Sequence, residues 1–230
     1  PANPSPFSRI WFACPTLFPE NNRHVQNRPT QFMKQYSQSC DENREPILGI
    51  IRDVFSGPGR ILEVGSGTGQ HAVYFAEQLP HLLWQTSDLA ESHASINAWR
   101  VESGLDNVLP PLVLDVNEST WPAQQYVGVF SANTVHIMGW NAVEKMFAGI
   151  GELLPGGANF CLYGPFNYEG RFTSASNMHF DGWLKDRDPQ SGVRDFEAVE
   201  ALATAAGMAL AADNEMPANN RLLVWRKTGT

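Results

Sequence analysis

The spacing of apolar residues changes several times along this chain, and the changes mark its elements. From about residue 43, Ile47, Ile50, Ile51, Val54 and Phe55 recur at helical spacing, with Pro46 near the first turn. Gly57-Pro58-Gly59 stops that helix. Arg60–Val64 reads as a strand, followed by a helix with Ala72, Val73, Ala76 and Leu79 on one face. Leu82–Ser87 predicts a strand, 91–103 a helix, Leu112–Asp115 a strand and Tyr126–Ala132 another. Val143, Met146, Phe147, Ile150 and Leu154 then make an amphipathic helix, closed by Pro155-Gly156-Gly157 ahead of strand Ala158–Tyr163. Phe196, Val199, Leu202 and Ala203 mark a last helix, ended by Gly207. Two late strands, about 208–214 and 221–227, flank a turn at Met216-Pro217-Ala218-Asn219-Asn220.

Strands alternate with helices, which predicts an α/β fold: a doubly wound, mainly parallel sheet of seven strands. The two late strands lack a helix between them and should pair antiparallel at one edge. Two segments break the pattern. Residues 1–30 hold six prolines and isolated aromatics (Phe7, Trp11, Phe12, Phe18), so residues 1–35 read as an extended arm and 36–230 as one domain. Residues 164–194 are polar and dotted with aromatics, and a stretch that long without apolar periodicity reads as a lid-like insertion.

Chemistry concentrates after the first strand. Glu63-Val64-Gly65-Ser66-Gly67-Thr68-Gly69-Gln70 sets three glycines at alternate positions, a turn in which backbone lies against a ligand. A dinucleotide fingerprint wants its third glycine where Gln70 stands, so the turn points away from a pyrophosphate. Asp88 ends the second strand about 20 residues on, where doubly wound folds bind ribose hydroxyls. Asp115 ends the third and is placed to accept from an adenine amino group; Asn133 follows the fourth. Acids at Glu63, Asp88 and Asp115 suit a ligand with a sulfonium and an ammonium but no phosphate, which is S-adenosylmethionine. Each also has a plainer reading: Asp88 as a helix N-cap, Asp115 as a turn cap, Glu63 as half of an ion pair.

With 43% hydrophobic residues the chain has enough for a full core, and no apolar run is long enough to span a membrane. A net charge of −8 argues against a broad nucleic-acid surface. Three cysteines without metal-ligand spacing predict neither a disulfide framework nor a zinc site, and fit a reducing cytoplasm. No signal peptide is expected.

The chain resembles class I S-adenosylmethionine-dependent methyltransferases. More closely, it is similar to the family long labelled domain of unknown function 938, the methyltransferase-like 26 family. The similarity runs from about residue 36 onward. It rests on Asn43-Arg44-Glu45-Pro46-Ile47-Leu48, Leu62–Ala72, Trp84-Gln85-Thr86-Ser87-Asp88 and Leu114-Asp115-Val116. It continues through Asn133-Thr134-Val135-His136-Ile137, Tyr163-Gly164-Pro165-Phe166, Ser176-Asn177 with Phe180-Asp181, Arg187-Asp188-Pro189, Arg194-Asp195 and Met216–Asn220. The family usually has Pro at Thr86 and often Met at Thr134. The resemblance implies the Rossmann-like fold and the cofactor, and it supplies no acceptor. The expected cofactor residues are Asn43, Glu63, Gly65, Ser66, Gly67, Gly69 and Gln70, then Asp88, Asp115, Val116 and Asn133.

Methyl transfer is an in-line displacement, and His136, just past the fourth strand, is the candidate general base. Its plainer reading is a structural histidine bonded to a carbonyl. Tyr163, Phe166, Asn177 and Phe180 are expected to wall an acceptor. Arg187 and Arg194 would hold a carboxylate or phosphate, or else pair with Asp186, Asp188 or Asp195. Asn219 reaches the site if the lid closes, and Tyr36 covers it from the other side. Trp84, Trp99 and Trp225 are expected in the core. The reading is a methyltransferase acting on a thiol, hydroxyl or amine of a small molecule, as a monomer or homodimer. Its rival is a cofactor-binding protein without transferase activity.

Overall fold

The computed structural model describes residues 34–118 and 120–229. The expected N-terminal arm therefore lies almost wholly outside the described residues. Helices α1 (Gln38–Val54) and α2 (Gln70–Gln78) flank β1 (Gly59–Val64) in sequence, and β2 (Leu82–Asp88), α3 (His93–Ser103) and β3 (Val108–Val113) follow. Then come β4 (Gly128–Ala132), α4 (Trp140–Leu153), β5 (Asn159–Gly164) and β6 (Phe166–Asn167). The chain continues with α5 (Ala175–Arg187), β7 (Arg194–Asp195), α6 (Phe196–Ala205), β8 (Met208–Met216) and β9 (Asn220–Lys227).

Seven strands form one sheet in the order β3-β2-β1-β4-β5-β9-β8. β1 to β5 are parallel, and β9 runs antiparallel to both neighbours, β5 and β8. The order reverses between β1 and β4, so the ligand-binding switch point falls at their carboxyl ends.

Alternation along the strands divides the core in two. Leu62, Phe160, Leu162, Leu223 and Trp225 pack with Val143, Phe147 and Ile150 of α4 and Val199 of α6. Ile61, Cys161, Tyr163, Leu222 and Val224 point the other way, against Ile47 and Ile51 of α1 and Phe75 of α2. Helices thus cover both faces, as parallel strands require. Trp84 and Trp225 are fully buried. Trp99 is not a core residue: it is half-buried, donates to the Gln35 carbonyl (2.8 Å) and carries Lys34 over its ring.

Four expectations need correction. α1 begins at Gln38, so Asn43 and Pro46 lie inside it rather than at its start. Its first turn, Gln38-Ser39-Cys40-Asp41, is polar and gives no apolar period. Residues 164–194 are not a structureless loop, for they contain α5 and the short parallel pair β6–β7. The residues α5 buries are Asn177, Asp181 and Leu184, a mostly polar stripe that hydrophobic periodicity cannot detect. Third, β3 starts at Val108 and ends at Val113, leaving Asp115 beyond the strand. Pro110-Pro111 lie inside β3, which is the sheet's edge, where prolines are tolerated. Fourth, β4 starts at Gly128, after the predicted Tyr126. No helix among the described residues is long and apolar enough to cross a membrane.

Candidate active site

The glycine turn leaves the end of β1 and enters α2. The Gly65 and Ser66 amides donate to the Ser87 carbonyl (3.0 and 2.9 Å), which ties the turn to β2. The three glycines do different work, and all have left-handed φ angles of 75°, 56° and 94°. A Cβ on Gly65 would stand 2.6 Å from Thr134 Cγ2, and one on Gly69 2.9 Å from the Ile96 backbone. Those two permit close packing. A Cβ on Gly67 would meet nothing within 4 Å among the described residues, so the middle of the turn is open where a ligand cradle must be.

Acids gather around it. Asp88 Oδ2 accepts from the Gly67 amide (2.7 Å), while Oδ1 accepts from Leu89 N (2.7 Å) and Ser92 Oγ (3.0 Å). The carboxylate therefore both holds the turn and caps the short 3-10 turn before α3. Of roughly four lone-pair sites on a carboxylate, one stays free for a ribose hydroxyl. Asp115 Oδ1 accepts from the backbone and side chain of Asn117 (2.9 and 3.1 Å), and Val116 beside it is buried. Glu63 lies beneath the turn, 2% exposed, accepting from Trp84 Nε1 (3.2 Å). It has no cationic side-chain partner among the described residues. Burial pushes its carboxyl up to about 7, against hydrogen bonding from Ser66 and Trp84 and with a further push from Asp88.

Several predicted site residues turn out to be fasteners. Gln70 gives its side-chain amide to the backbone: Oε1 accepts from Ser37 N and Nε2 donates to Ser37 O (3.2 Å), which straps the chain before α1 to the turn. Tyr36 is exposed and bonds Asp41 within its own segment. Phe166 is fully buried in the core, because β6 turns it inward. Arg187 is exposed at the end of α5, stacked on Trp183. Arg194 offers no free fork, for it donates to the carbonyls of Val135 (3.0 Å), Gln190 (2.7 Å) and Met138. Asn177 Nδ2 bonds Thr173 Oγ1 (2.9 Å) and the Asn219 carbonyl (3.0 Å), joining α5 to the turn before β9. Asn219 has a left-handed φ of 59° and donates to Ser176 Oγ (3.3 Å).

The remaining candidates converge past β4 and β5. Asn133 has φ 58° and donates its amide to the Tyr163 carbonyl (2.9 Å). His136 is 4% exposed, and its Nδ1 has no hydrogen-bond partner among the described residues. That nitrogen stands 3.5 Å from where a Cβ of Gly164 would lie, and Phe180 of α5 packs edge-on to the ring at 5.4 Å. Burial, with the Arg194 charge, pulls the imidazole down to about 4, so it is neutral at pH 7. Arg194 grips the chain on both sides of His136, whose own carbonyl accepts from Gly192 N (2.9 Å). Asp181 completes the brace, accepting from Val193 N (2.9 Å) and Lys185 (2.7 Å). Sequence reasoning missed Asp181, His71, Ser87 and Asn220 as parts of this region. Asp181, Ser87 and Asn220 sit within the matching stretches quoted above, and so does His71.

A separate hollow of about 530 Å³ is lined by Asp53, Asn159, Asn214 and Arg226. It lies at the amino ends of the parallel strands, away from every perturbed group described here, and it is not the site.

The open cradle at Gly67 and the acids around it fit the sulfonium, ammonium and ribose of S-adenosylmethionine and leave nothing to neutralise a pyrophosphate. Strand order and switch-point turn define a class I methyltransferase fold. An O-methyltransferase family protein from Burkholderia thailandensis superposes with a TM-score of 0.72 at 13% identity, over 80% of this chain and 56% of that one. An O-methyltransferase family 2 protein from Planctomyces limnophilus, in complex with apigenin, gives 0.71 at 12% identity, over 81% and 56%. Human N-acetylserotonin methyltransferase, in complex with S-adenosylmethionine, gives 0.68 at 14% identity, over 84% and 53%. The chain thus spans just over half the length of these structures, and at such identities the likeness is one of fold. The chain itself belongs to the family described as "Protein of unknown function (DUF938)", whose profile matches residues 34–227.

Proposed function

We propose that this protein is an S-adenosylmethionine-dependent methyltransferase acting on a small molecule, within the methyltransferase-like 26 branch suggested by the loop motifs. The observation that carries the reading is His136: a buried, neutral imidazole with an unpaired Nδ1, held past β4 beside the switch point. A buried polar atom without a partner is costly in a folded protein and asks for a role. The fold supports the cofactor, and one neighbour of that fold is described with S-adenosylmethionine bound.

The glycine turn, Asp88 and Asp115 would hold the cofactor, with Asn133 and Val116 at its margins. When bound, S-adenosylmethionine supplies an electrophilic methyl group on a sulfonium sulfur. His136 would serve as base, its Nδ1 taking the proton of an acceptor hydroxyl brought beside it. Phe180 excludes water from the ring's edge. A thiol or amine acceptor would use the same geometry. The same reading makes the protein cytoplasmic, a monomer or homodimer, with no nucleic-acid or membrane partner.

Purified protein incubated with S-adenosylmethionine and a small-metabolite extract should yield S-adenosylhomocysteine above the extract-free rate. Cofactor binding without that product would establish the binding-only rival instead.

A further inference from the structure

Glu63 is a buried carboxyl with no positive charge set against it. It is 2% exposed, one residue from the end of β1, beneath the glycine turn. Its hydrogen bonds come from neutral donors, Trp84 Nε1 (3.2 Å) and the Ser66 side chain.

The elements packed around it supply no cation. From α1, Cys40 and Glu63 would repel if both were ionised, and burial pushes the thiol up to about 11, so Cys40 is neutral. Arg44 of the same helix pairs with Asp41 (2.7 Å) and lies over the Tyr74 ring. From α2, His71 is pulled down to about 4 by burial and is neutral as well. β4 presents Phe130 in register with Glu63. From β2, Asp88 adds a like charge, and His93 beyond it bonds the Asp88 backbone carbonyl (3.1 Å). No Lys, Arg or His side chain forms an ion pair with Glu63 among the described residues.

In the free protein, ionising Glu63 would bury a charge alone, which favours its protonated form. A ligand with a sulfonium and an ammonium, seated on the turn above, brings the missing positive charge. In a site closed to water such a charge acts over several ångströms and favours the ionised carboxyl.

Building on the proposed use of S-adenosylmethionine, we propose that Glu63 exchanges its proton for the cofactor's positive charge. The cation settles on the glycine turn, the carboxyl O–H bond breaks, its proton passes to the buffer, and the carboxylate stays as a buried counter-charge. Nothing is oxidised or reduced, and the methyl group stays on sulfur. Asp88 holds the turn in place, while Glu63 distinguishes a charged ligand from a neutral one. The bound protein carries fewer protons than the free one, so affinity rises with pH and levels off above about 7, the value to which burial lifts the free carboxyl.

Calorimetry tests this with no acceptor present. The full chain is titrated with S-adenosylmethionine at pH 6 in two buffers of different ionisation enthalpy. At that pH the cofactor's own α-amino group, with a usual value of about 7.7–8.0, stays protonated. Close to one proton should be released per cofactor bound. From pH 5.5 to 7 the affinity should tighten about 10-fold or more, as linkage gives for a carboxyl that is ionised only in the bound state over this range. Glu63→Gln keeps an oxygen for Trp84 Nε1 and cannot titrate, so the release should vanish and the tightening with it. Binding without proton release in the parent, or equal release in Glu63→Gln, overturns the proposal and leaves the transferase reading standing. No binding by either protein at any pH overturns both. Should Glu63→Gln not fold, Trp84→Phe removes a donor to the ionised carboxyl and should move the midpoint of the affinity's pH dependence upward; an unmoved midpoint overturns the assignment to Glu63.

Discussion

Glu63 offers a test that needs no substrate. Its carboxyl is buried under the glycine turn, and burial raises it from a usual 4.5 to about 7. The folded state thus binds this proton more tightly than the unfolded chain does. Below pH 4.5 both states are protonated and the group costs nothing. Between 4.5 and 7 the unfolded chain releases the proton while the folded one keeps it, so stability falls as pH rises. Above 7 the full cost is present. The difference between the two values is worth about 3 kcal/mol at 1.36 kcal/mol per pH unit. Glu63→Gln removes the titration yet retains an oxygen for Trp84 Nε1. Urea unfolding of both proteins from pH 4.5 to 8 should show the variant gaining on the parent by about 3 kcal/mol, most of it by pH 7. His71 and His136, both lowered to about 4 by burial, titrate in both proteins and drop out of the comparison. A stability difference that stays flat across this range, or that favours the parent as pH rises, refutes the assignment of Glu63 as a buried, uncompensated carboxyl.

Five further outcomes follow from the same contacts. Asp88→Ala removes the acceptor for Gly67, Leu89 and Ser92 and should weaken S-adenosylmethionine binding by about 1–3 kcal/mol in calorimetry; unchanged affinity in a folded variant would take Asp88 out of the site. His136→Ala should abolish most turnover while cofactor affinity holds, and because the parent ring charges only near pH 4, acidification from pH 7 to 5.5 should not protonate it. Loss of activity in that interval that persists in the Glu63→Gln background would contradict its burial. Arg194→Lys cannot span the Val135, Met138 and Gln190 carbonyls, so kcat should drop about 10-fold with cofactor Kd unchanged, at a stability cost of about 1–3 kcal/mol by urea titration. Gly69→Ala, at φ 94° and 2.9 Å from Ile96, should cost about 1–3 kcal/mol of stability. At Gly67 a methyl finds open space, so there calorimetry should show lost cofactor affinity beyond the cost of the left-handed φ.

What could be read from the chain beforehand depended on whether apolar residues carried the pattern. Ile61 and Leu62, or Cys161 and Leu162, alternate between the two cores, and their strands were legible. The glycine turn was legible because its backbone demands a residue type. α5 escaped because its buried stripe is Asn177, Asp181 and Leu184, and the first turn of α1 because it is polar. β3 was placed too late, from Leu112, since nothing in the residues themselves says that a strand carrying Pro110-Pro111 will be an edge. Arg194 was misread for a different reason. Its partners are backbone carbonyls of Val135 and Met138, and a carbonyl leaves no mark on the sequence. Residue type suggested a cation for a ligand; only the folded chain showed where its donors go.

That reassignment changes how charge is laid out across the switch point. On the side of β1, β2 and β3 stand Glu63, Asp88 and Asp115, three carboxyls with no cationic side-chain partner among the described residues. On the side of β4 and β5 stand Asn133, His136, Tyr163 and Asn43, all neutral at pH 7, with Arg194 turned into the backbone. A cationic ligand is favoured on the first side by attraction and disfavoured on the second by lost hydration. Were Arg194 free to face the cleft, the second half would select anions and the His136 proton would be harder still to take up. Held as it is, the guanidinium fixes the loop that carries the base while its charge still acts on His136. Carboxyls on one side of the switch point, and neutral groups beside one backbone-bound guanidinium on the other, thus follow from where Arg194 places its donors.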